Sequence, residues 1–330
     1  MIRVSRRAVL AAPALLGVPL PDAPAYAQGV LPTRGVRIVI GYPVGGGTDE
    51  MARVIAGSLQ RRLSRPVTIE NRPSASGAAV GEILKRAPTD GSVLGFMQTA
   101  ALIGRLTDKS FPFNPLTDVL PLTLAGTYPT AFAVSRKLEV TTLAGYGKWL
   151  RDNTRPEDTR FGTTSLNTLI HLFGLMIGQA LNRPLEAVYF KGASPLVTDL
   201  QEGRIPAGSG GLTSFLQHHR GSRLRILVTS DKTRSKMAPD IPTVAELGYP
   251  SLELQNWYGF FGPAGLSPEV AAAWERELRV VLDSRDVTEQ LSQLGLDVQT
   301  STGKECAERL AADMGRWRSL LDTFGLKETN

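Results

Sequence analysis

The chain has 330 residues, 42% of them apolar and 21% charged, with a formal net charge of +6 and a single cysteine. Such a length suits two lobes of roughly 100–150 residues, and the composition excludes a disordered chain. The charge is too mild for a nucleic-acid binder, with no Lys/Arg run and no aromatics interleaved among bases.

The N-terminal MIRVSRRAVLAAPALLGVPLPDAPAYAQ reads as an export signal. Ser5-Arg6-Arg7-Ala8-Val9-Leu10 follows the twin-arginine pattern, and Ala25-Tyr26-Ala27 is an A-x-A cleavage site. Residues 1–27 are therefore expected to be removed and the mature chain to begin at Gln28 in the periplasm. Residues 8–20, interrupted by Pro13 and Pro19, fall short of the about 20 apolar residues that cross a bilayer. Cys306 excludes an intramolecular disulfide and, in the helical pattern GKECAERLAADM, is expected in the core.

Strands and helices then alternate. VRIVIGY predicts a strand, and TDEMARVIAGSLQRRL a helix with Met51, Ile55, Leu59 and Leu63 on its apolar stripe and Arg61 and Arg62 opposite, in solvent. PVTIEN, GAAVGEILKRA and SVLGFMQ continue as strand, helix and strand. This β-α-β-α-β order implies a parallel sheet with its strand carboxyl ends, at Gly41–Asp49, Asn71–Gly77 and Gln98–Thr99, gathered at one ligand-binding edge. Residues 105–125, rich in Pro and Phe, read as irregular. YPTAFAVSRKL predicts a long strand and 142–151 a helix. FGTTSLNTLIHLFGLMIGQAL, EAVYFKGASPLVTDLQEGRI and RLRILVTSDK form a second α/β series. LQNWYGFFGPAG predicts another strand, and two amphipathic helices, 268–283 and 304–321, close the chain. Extended runs near 126–134 and 252–262 join the two series. The expected layout is two lobes hinged about a cleft, residues 28–130 with 256–330 and residues 131–255.

GYPVGGGTD admits three readings. Gly41 and Gly46 have the separation of a P-loop, but Gly47 stands where its lysine belongs. Gly45 and Gly47 match the start of a dinucleotide loop, but Glu50 replaces its third glycine. The third reading is a carboxylate-sized nest, in which Gly45, Gly46 and Gly47 allow close approach at a helix N-terminus. Thr48 or Asp49 is a natural cap for that helix, and Asp49 would repel an anion unless its carboxylate faces away.

The second series offers matching elements. Thr163, Thr164 and Ser165 lead into a helix expected to start near Asn167 or Thr168. In YFKGASPLVTDL, Gly192 turns the chain, Ser194 is expected to cap the next helix and Pro195 to take its first position. Lys191 precedes them as a candidate anion partner. A serine hydrolase is disfavoured, since no G-x-S-x-G elbow occurs and His171, expected to pack, lies along the helix from Ser165. Adjacent His218 and His219 supply no zinc set, and no carboxylate cluster has metal spacing, so no catalytic residue, metal or cofactor is expected.

VIGYPVGGGTDEMAR, VTIENRPSASGAAVGEILKRAPTDGSVL, SLNTLIHL, VYFKGASPLVTDLQEGRI, RILVTSDKTRSKMAPDIPTVAELGYP and WYGFFGPAGLSPEV resemble successive blocks of the Bug family. These are the TctC-like extracytoplasmic solute receptors of tripartite tricarboxylate transporters, and the blocks recur in order over about residues 36–300. The resemblance implies an α/β fold of the type II periplasmic binding protein, or Venus flytrap: two lobes, each a mainly parallel sheet flanked by helices, and two extended hinge crossings. It implies a periplasmic receptor that closes on a small organic carboxylate and delivers it to the membrane subunits of a transporter. Such a receptor is expected to be monomeric. A ligand sensor without a transport role is the alternative, and an exported serine hydrolase a remoter one. By position the resemblance implicates Pro43, Gly45, Gly46, Gly47, Thr48 and Asp49, with Gln98 and Thr99 at the same edge. In the second lobe it implicates Thr163, Thr164, Ser165, Asn167 and Thr168, then Lys191, Gly192, Ala193 and Ser194. PAGSGGLTSFLQHH departs from the family pattern, with Pro206 and Gly210 where Asp is common, and its glycines are expected to widen the pocket or remove a ligand contact. Leu166-Asn167 also replaces the glycine usual before that helix.

Overall fold

The computed structural model describes residues 29–326, so the expected export signal and its cleavage site lie outside the described residues. The chain runs β1 (Val36–Ile40), α1 (Gly47–Leu63), β2 (Val67–Asn71), α2 (Ala79–Arg86), β3 (Val93–Gln98), α3 (Thr99–Ile103) and β4 (Val119–Tyr128). It continues through β5 (Thr130–Ser135), α4 (Leu143–Asp152), β6 (Arg160–Thr163), α5 (Leu169–Ala180), β7 (Glu186–Tyr189), α6 (Ala193–Glu202), β8 (Ala207–Gly211), α7 (Leu212–Arg220) and β9 (Leu224–Thr229). It ends with β10 (Asn256–Pro263), α8 (Pro268–Leu282), α9 (Arg285–Gln293), β11 (Asp297–Val298) and α10 (Gly303–Thr323).

Two sheets result. The first has the order β11-β4-β10-β3-β1-β2. Its β1, β2, β3 and β4 share one direction, while β10 and β11 oppose them. The second, β7-β6-β8-β5-β9, opposes β5 to all the rest. Both sheets are mixed by pairing, and the expected parallel character survives as a majority strand direction. The chain crosses between them twice, through Pro129 from β4 to β5 and through the segment from β9 to β10.

Helical periodicity sets the packing. Met51, Ile55 and Leu59 of α1 are buried with Ile38, Ile40, Phe96 and Trp274 in the core of the first lobe. Each such large side chain contributes about 1.5–3 kcal/mol by leaving water. In the second lobe Leu172 and Phe173 of α5 cover one sheet face with Phe132 and Phe161. Leu196 and Leu200 of α6 cover the other with Phe215. Cys306 is fully buried, and burial pushes its thiol up to about 12, as a packing residue requires.

Strand direction then places two edges face to face. β3 ends at Gln98, in register with Tyr258 of β10, and Tyr258 in turn pairs with Gly126 close to the crossing at Pro129. β1 and β2 run parallel to β3, so their carboxyl ends lie on that side too. In the other lobe β8 ends at Gly211, opposite Thr130, and Leu212 N donates to Pro129 O at 3.0 Å. β6 and β7 run parallel to β8. Both sets of carboxyl ends therefore meet at the crossings, where open α/β sheets bind ligands.

Several expectations are corrected. Residues 105–125 are not irregular throughout, because Val119 begins the ten-residue β4, which lies between β11 and β10 in the first sheet. Pro121 is tolerated there because it pairs with Phe261 beside a register shift. Three helices rather than two follow β10, with α9 inserted between the expected pair. Arg62 does not stand in solvent alone but reaches the buried carboxylate of Glu277 at 2.5 Å. Two glycines of β8 also make room for helices, since a Cβ at Gly208 would meet Leu200 at 3.0 Å and one at Gly210 would meet Phe215 at 2.9 Å, while the space over Gly211 is open.

Candidate functional site

Three helices of ten or more residues begin at the facing edges: α1 after β1, α5 after β6 and α6 after β7. Each leaves its first N–H groups without intrahelical partners and carries a partial positive charge.

In the first lobe neither Thr48 nor Asp49 is the helix cap. Gly46 is the N-cap and offers no side chain to the helix. The first turn closes with Glu50 N donating to Gly46 O at 3.0 Å, leaving the Gly47 and Thr48 amides ahead of the ladder. Gly45 adopts φ +77, a conformation that favours glycine. A Cβ on Gly47 would meet nothing within 4 Å, so the space over this residue is open.

Asp49 is turned away from that space. Its side chain is buried and accepts from Gly45 N at 3.0 Å, Arg53 Nε at 2.8 Å, Arg53 Nη2 at 3.0 Å and Asn71 Nδ2 at 2.9 Å. The Arg53 hydrogen bond, ahead of those from Gly45 and Asn71, holds the carboxyl down to about 2 against the opposing effect of burial. Asn71 also donates to Tyr42 O at 3.1 Å. The acid that would repel an anion is thus spent as a brace beneath the loop.

Behind the loop lies an aromatic floor that sequence reasoning missed. Thr48 Oγ1 shares a hydrogen bond of 2.8 Å with the hydroxyl of Tyr258, whose ring stacks on Phe96 at 4.8 Å. Gln98 donates to the Tyr42 hydroxyl, which donates to Ser76 O at 3.2 Å, and Tyr128 donates to Gln98 Oε1 at 2.8 Å. Burial raises all three tyrosines, Tyr42 to about 12, so each stays a neutral donor. Thr99 sits lower still: fully buried, its hydroxyl donates to Asn256 Oδ1 at 3.0 Å. Asn256 Nδ2 donates to Thr130 Oγ1 at 2.7 Å, and Thr130 N donates to Ser230 Oγ at 3.1 Å. That chain joins both crossings and places Thr99 in the hinge.

In the second lobe Thr168 is the N-cap of α5. Ser165 and Thr168 share a hydroxyl hydrogen bond of 2.9 Å, and Thr163 Oγ1, fully buried, donates to Ser165 O at 3.2 Å. Asn167 takes φ +55, a left-handed conformation that Asn tolerates better than most side chains, and its N–H donates to His171 Nδ1 at 3.1 Å. His171 stacks on Phe161 at 6.2 Å, and burial lowers its pKa below 6.5, which keeps Nδ1 an acceptor. It packs, as expected, and it also pins the loop. Thr164 and Ser165 remain half-buried and Asn167 exposed at the edge.

At α6 the expected cap is wrong. Gly192, at φ +103, is the N-cap and Ala193 the first helical residue, so Ser194 and Pro195 lie within the first turn. A glycine reaches that conformation without strain, which lets the helix begin earlier than Ser194 would allow. Lys191, Gly192 and Ser194 are exposed at this corner.

A further signal lay in the apolar residues beside the polar loops. Val44 and Leu166 on the first two loops and Tyr189 at the end of β7 are 70%, 48% and 53% exposed. No group of three or more His, Cys, Asp or Glu able to hold a metal ion occurs among the described residues, and none of the described helices is long and apolar enough to cross a membrane.

Known proteins share this arrangement. The family model for the tripartite tricarboxylate transporter family receptor, TctC, matches residues 51–326. Protein BugT of Bordetella pertussis (strain Tohama I) is 29% identical over 302 residues, spanning 90% of this chain and 91% of BugT. Among solved structures, R. palustris Rpa4515 with adipate matches with a TM-score of 0.79 at 25% identity, over 90% of this chain and 99% of that one. The periplasmic binding protein BugD matches with a TM-score of 0.76 at 23% identity, over 90% and 100%.

Proposed function

Because this chain belongs to the family of tripartite tricarboxylate transporter receptors, we propose that it captures a small organic carboxylate between its lobes and hands it to membrane subunits of such a transporter. The family comprises periplasmic solute-binding receptors rather than enzymes. One observation carries the reading: three helix N-termini open at facing edges, and of the two acids in the first turn of α1 the inward one, Asp49, is buried and fully engaged while Glu50 is exposed. Such termini favour anions, and free amides of this kind give charge-assisted hydrogen bonds to a carboxylate.

In this mechanism the Gly47 and Thr48 amides take one face of the carboxylate in the open state, with Pro43, Gly45 and Gly46 shaping the loop. Hinge bending then brings in Thr164, Ser165, Asn167 and Thr168 from α5, and Lys191, Gly192, Ala193 and Ser194 from α6. Gln98 lies on the floor, while Thr99 and Thr163 act from behind the surface. Val44, Leu166 and Tyr189 close over the carbon skeleton, which favours an acid with an apolar body; the adipate of Rpa4515 is one such acid.

A thermal-shift panel of alkyl dicarboxylates, aromatic acids, hydroxylated tricarboxylates, nucleotides and esters tests this reading. Binding at a hundredfold excess over Kd adds about 2.7 kcal/mol of stability. A rise in Tm with one class of carboxylate and no consumption of ester is expected. A panel in which no acid raises Tm contradicts it.

A further inference from the structure

The second lobe gathers unpaired positive charge at its end remote from the crossings. β8 reaches the crossing at Gly211 and β5 runs antiparallel to it, so the end of β5 at Ser135 lies at the far pole of the lobe. β5 is antiparallel to β9 as well, and Ser135 is in register with Leu224 at the start of β9. Arg136 follows the one and Arg223 precedes the other, so two exposed arginines leave the sheet side by side. Arg225, in register with Val134, is half-buried, and its Nε has no hydrogen-bond partner among the described residues. α7 ends at the same pole, just before β9, and brings His218, His219 and Arg220. In the sequence this stretch reads HHRGSRLR.

Ordinary structural roles use little of this charge. Other exposed arginines are tied to acids, as Arg53 is to Asp49, Arg155 to Asp158, Arg204 to Asp199 and Arg285 to Glu289. Arg136, Lys137, Arg220, Arg223 and Arg225 join no ion pair among the described residues. Lys137 and Arg220 donate to backbone carbonyls, those of Glu202 and Met237. The negative end of α7 accounts for Arg220. Strand ends have no comparable dipole, and like charges set opposite each other on paired strands cost stability. Burial, foremost, holds His219 below 6.5, and Arg225, Arg136 and Arg220 push the same way against Asp240, which marks them as one cluster. The acids nearby are few: Asp240 lies 3.8 Å from His219 Nε2, Glu139 ends the turn that starts at Arg136, and Glu202 is paired with Arg204.

None of the exposed large apolar side chains belongs to this pole. Protein interfaces are built around apolar and aromatic anchors, whereas a face of cations alone matches a layer of anionic headgroups. We propose that the far pole of the second lobe docks on anionic phospholipid at a membrane surface, through Arg136, Lys137, Arg220, Arg223 and Arg225. Each Lys or Arg near such a surface strengthens binding by about fivefold. The contact leaves the facing ligand edges uncovered, so the receptor is held beside the membrane with its cleft free. Nothing in this docking depends on the identity of the ligand.

Co-sedimentation of the ligand-free protein with vesicles tests it. Vesicles of phosphatidylcholine containing phosphatidylglycerol are expected to carry the wild type down at low salt, and vesicles of phosphatidylcholine alone are not. About 1 M salt, where the screening length is about 3 Å, should release the protein. Arg136→Gln combined with Arg223→Gln is expected to weaken binding by about 25-fold, two charges at about fivefold each. Arg285→Gln combined with Lys304→Gln removes the same charge from exposed helices of the first lobe and should leave binding within about twofold. No sedimentation with phosphatidylglycerol vesicles overturns the proposal, as does an equal loss in the two double variants. Binding to soluble polyglutamate as tight as to the vesicles would assign the patch to an acidic protein surface and overturns it too.

Discussion

The two lobes meet the same need, a rigid cluster of free donors at a helix start, by opposite means. In the first lobe the loop carries Gly45 and Gly46 into Gly47 at the helix start and is held by a charge beneath it. Asp49 gathers Gly45, Arg53 and Asn71, and the open side over Gly47 is bare backbone. In the second lobe the loop is held by neutral groups of its own: the Ser165–Thr168 hydroxyl pair and the imidazole of His171. A charged brace is strong and indifferent to pH over the physiological range. A neutral brace is weaker and carries a titratable acceptor. The lesson is that an acidic residue in an anion-binding loop is not evidence against anion binding until its partners are known.

The largest expected effect breaks the first brace. Asp49→Ala strands the Asn71 amide and the Gly45 N–H and should cost about 2 kcal/mol of stability, with loss of ligand affinity. Chemical denaturation of the variant measures this, and an unchanged midpoint would show the loop to be self-supporting. Because the Asp49 carboxyl is held down to about 2, its contribution is present above the ordinary carboxylate range and is lost as pH falls toward that value.

Next comes Gly47→Val, which leaves every brace intact and fills the open space above Gly47. Affinity for the best acid should fall by about tenfold or more, equivalent to roughly 1.4 kcal/mol, while Tm without ligand stays within error. A variant that loses both alike would mean that Gly47 serves the fold instead.

A smaller effect is expected from Tyr258→Phe. It deletes the bond to Thr48 while keeping the ring on Phe96, and should weaken binding by about 1 kcal/mol. A double-mutant cycle with Thr48→Val sharpens the comparison: coupling between the two shows that the floor holds the first turn of α1, and strict additivity denies it.

The smallest effect lies in the second lobe. His171→Phe preserves the stack on Phe161 and removes the acceptor of Asn167 N–H. A few-fold loss of affinity is expected, from one neutral hydrogen bond of about 0.5–1.5 kcal/mol. His171 has its pKa lowered by burial, so its contribution is present above 6.5 and fades as pH falls through the depressed value. Affinity measured against pH should show an acid-side decline in the wild type that this variant reduces.

Much of this architecture could be read from sequence because it is written in local periodicity. Apolar stripes such as Met51, Ile55 and Leu59 alternate with short strands, and the glycine run announces a backbone site. What escaped was non-local. Nothing near Thr48 points to Tyr258, 210 residues away, and nothing near Asp49 identifies Asn71, 22 residues on, as its donor. β4 was hidden because Pro121 and the residues before it resemble a loop, and only pairing with β10 makes them a strand. The start of α6 was misjudged because Ser and Pro are strong local signals, yet the conformation that Gly192 alone can adopt decided it. His171 was correctly placed as a packing residue, but its use as an acceptor depends on the left-handed turn at Asn167.

The most direct test of the central claim is calorimetric titration of the best acid from the panel into wild type, Gly47→Val and Ser165→Ala. If the carboxylate is clamped between the lobes, both variants lose affinity, the first by about tenfold or more and the second by a few-fold, as removal of one hydroxyl hydrogen bond predicts. If either variant binds as tightly as wild type, its lobe does not hold the ligand, and the clamp is contradicted.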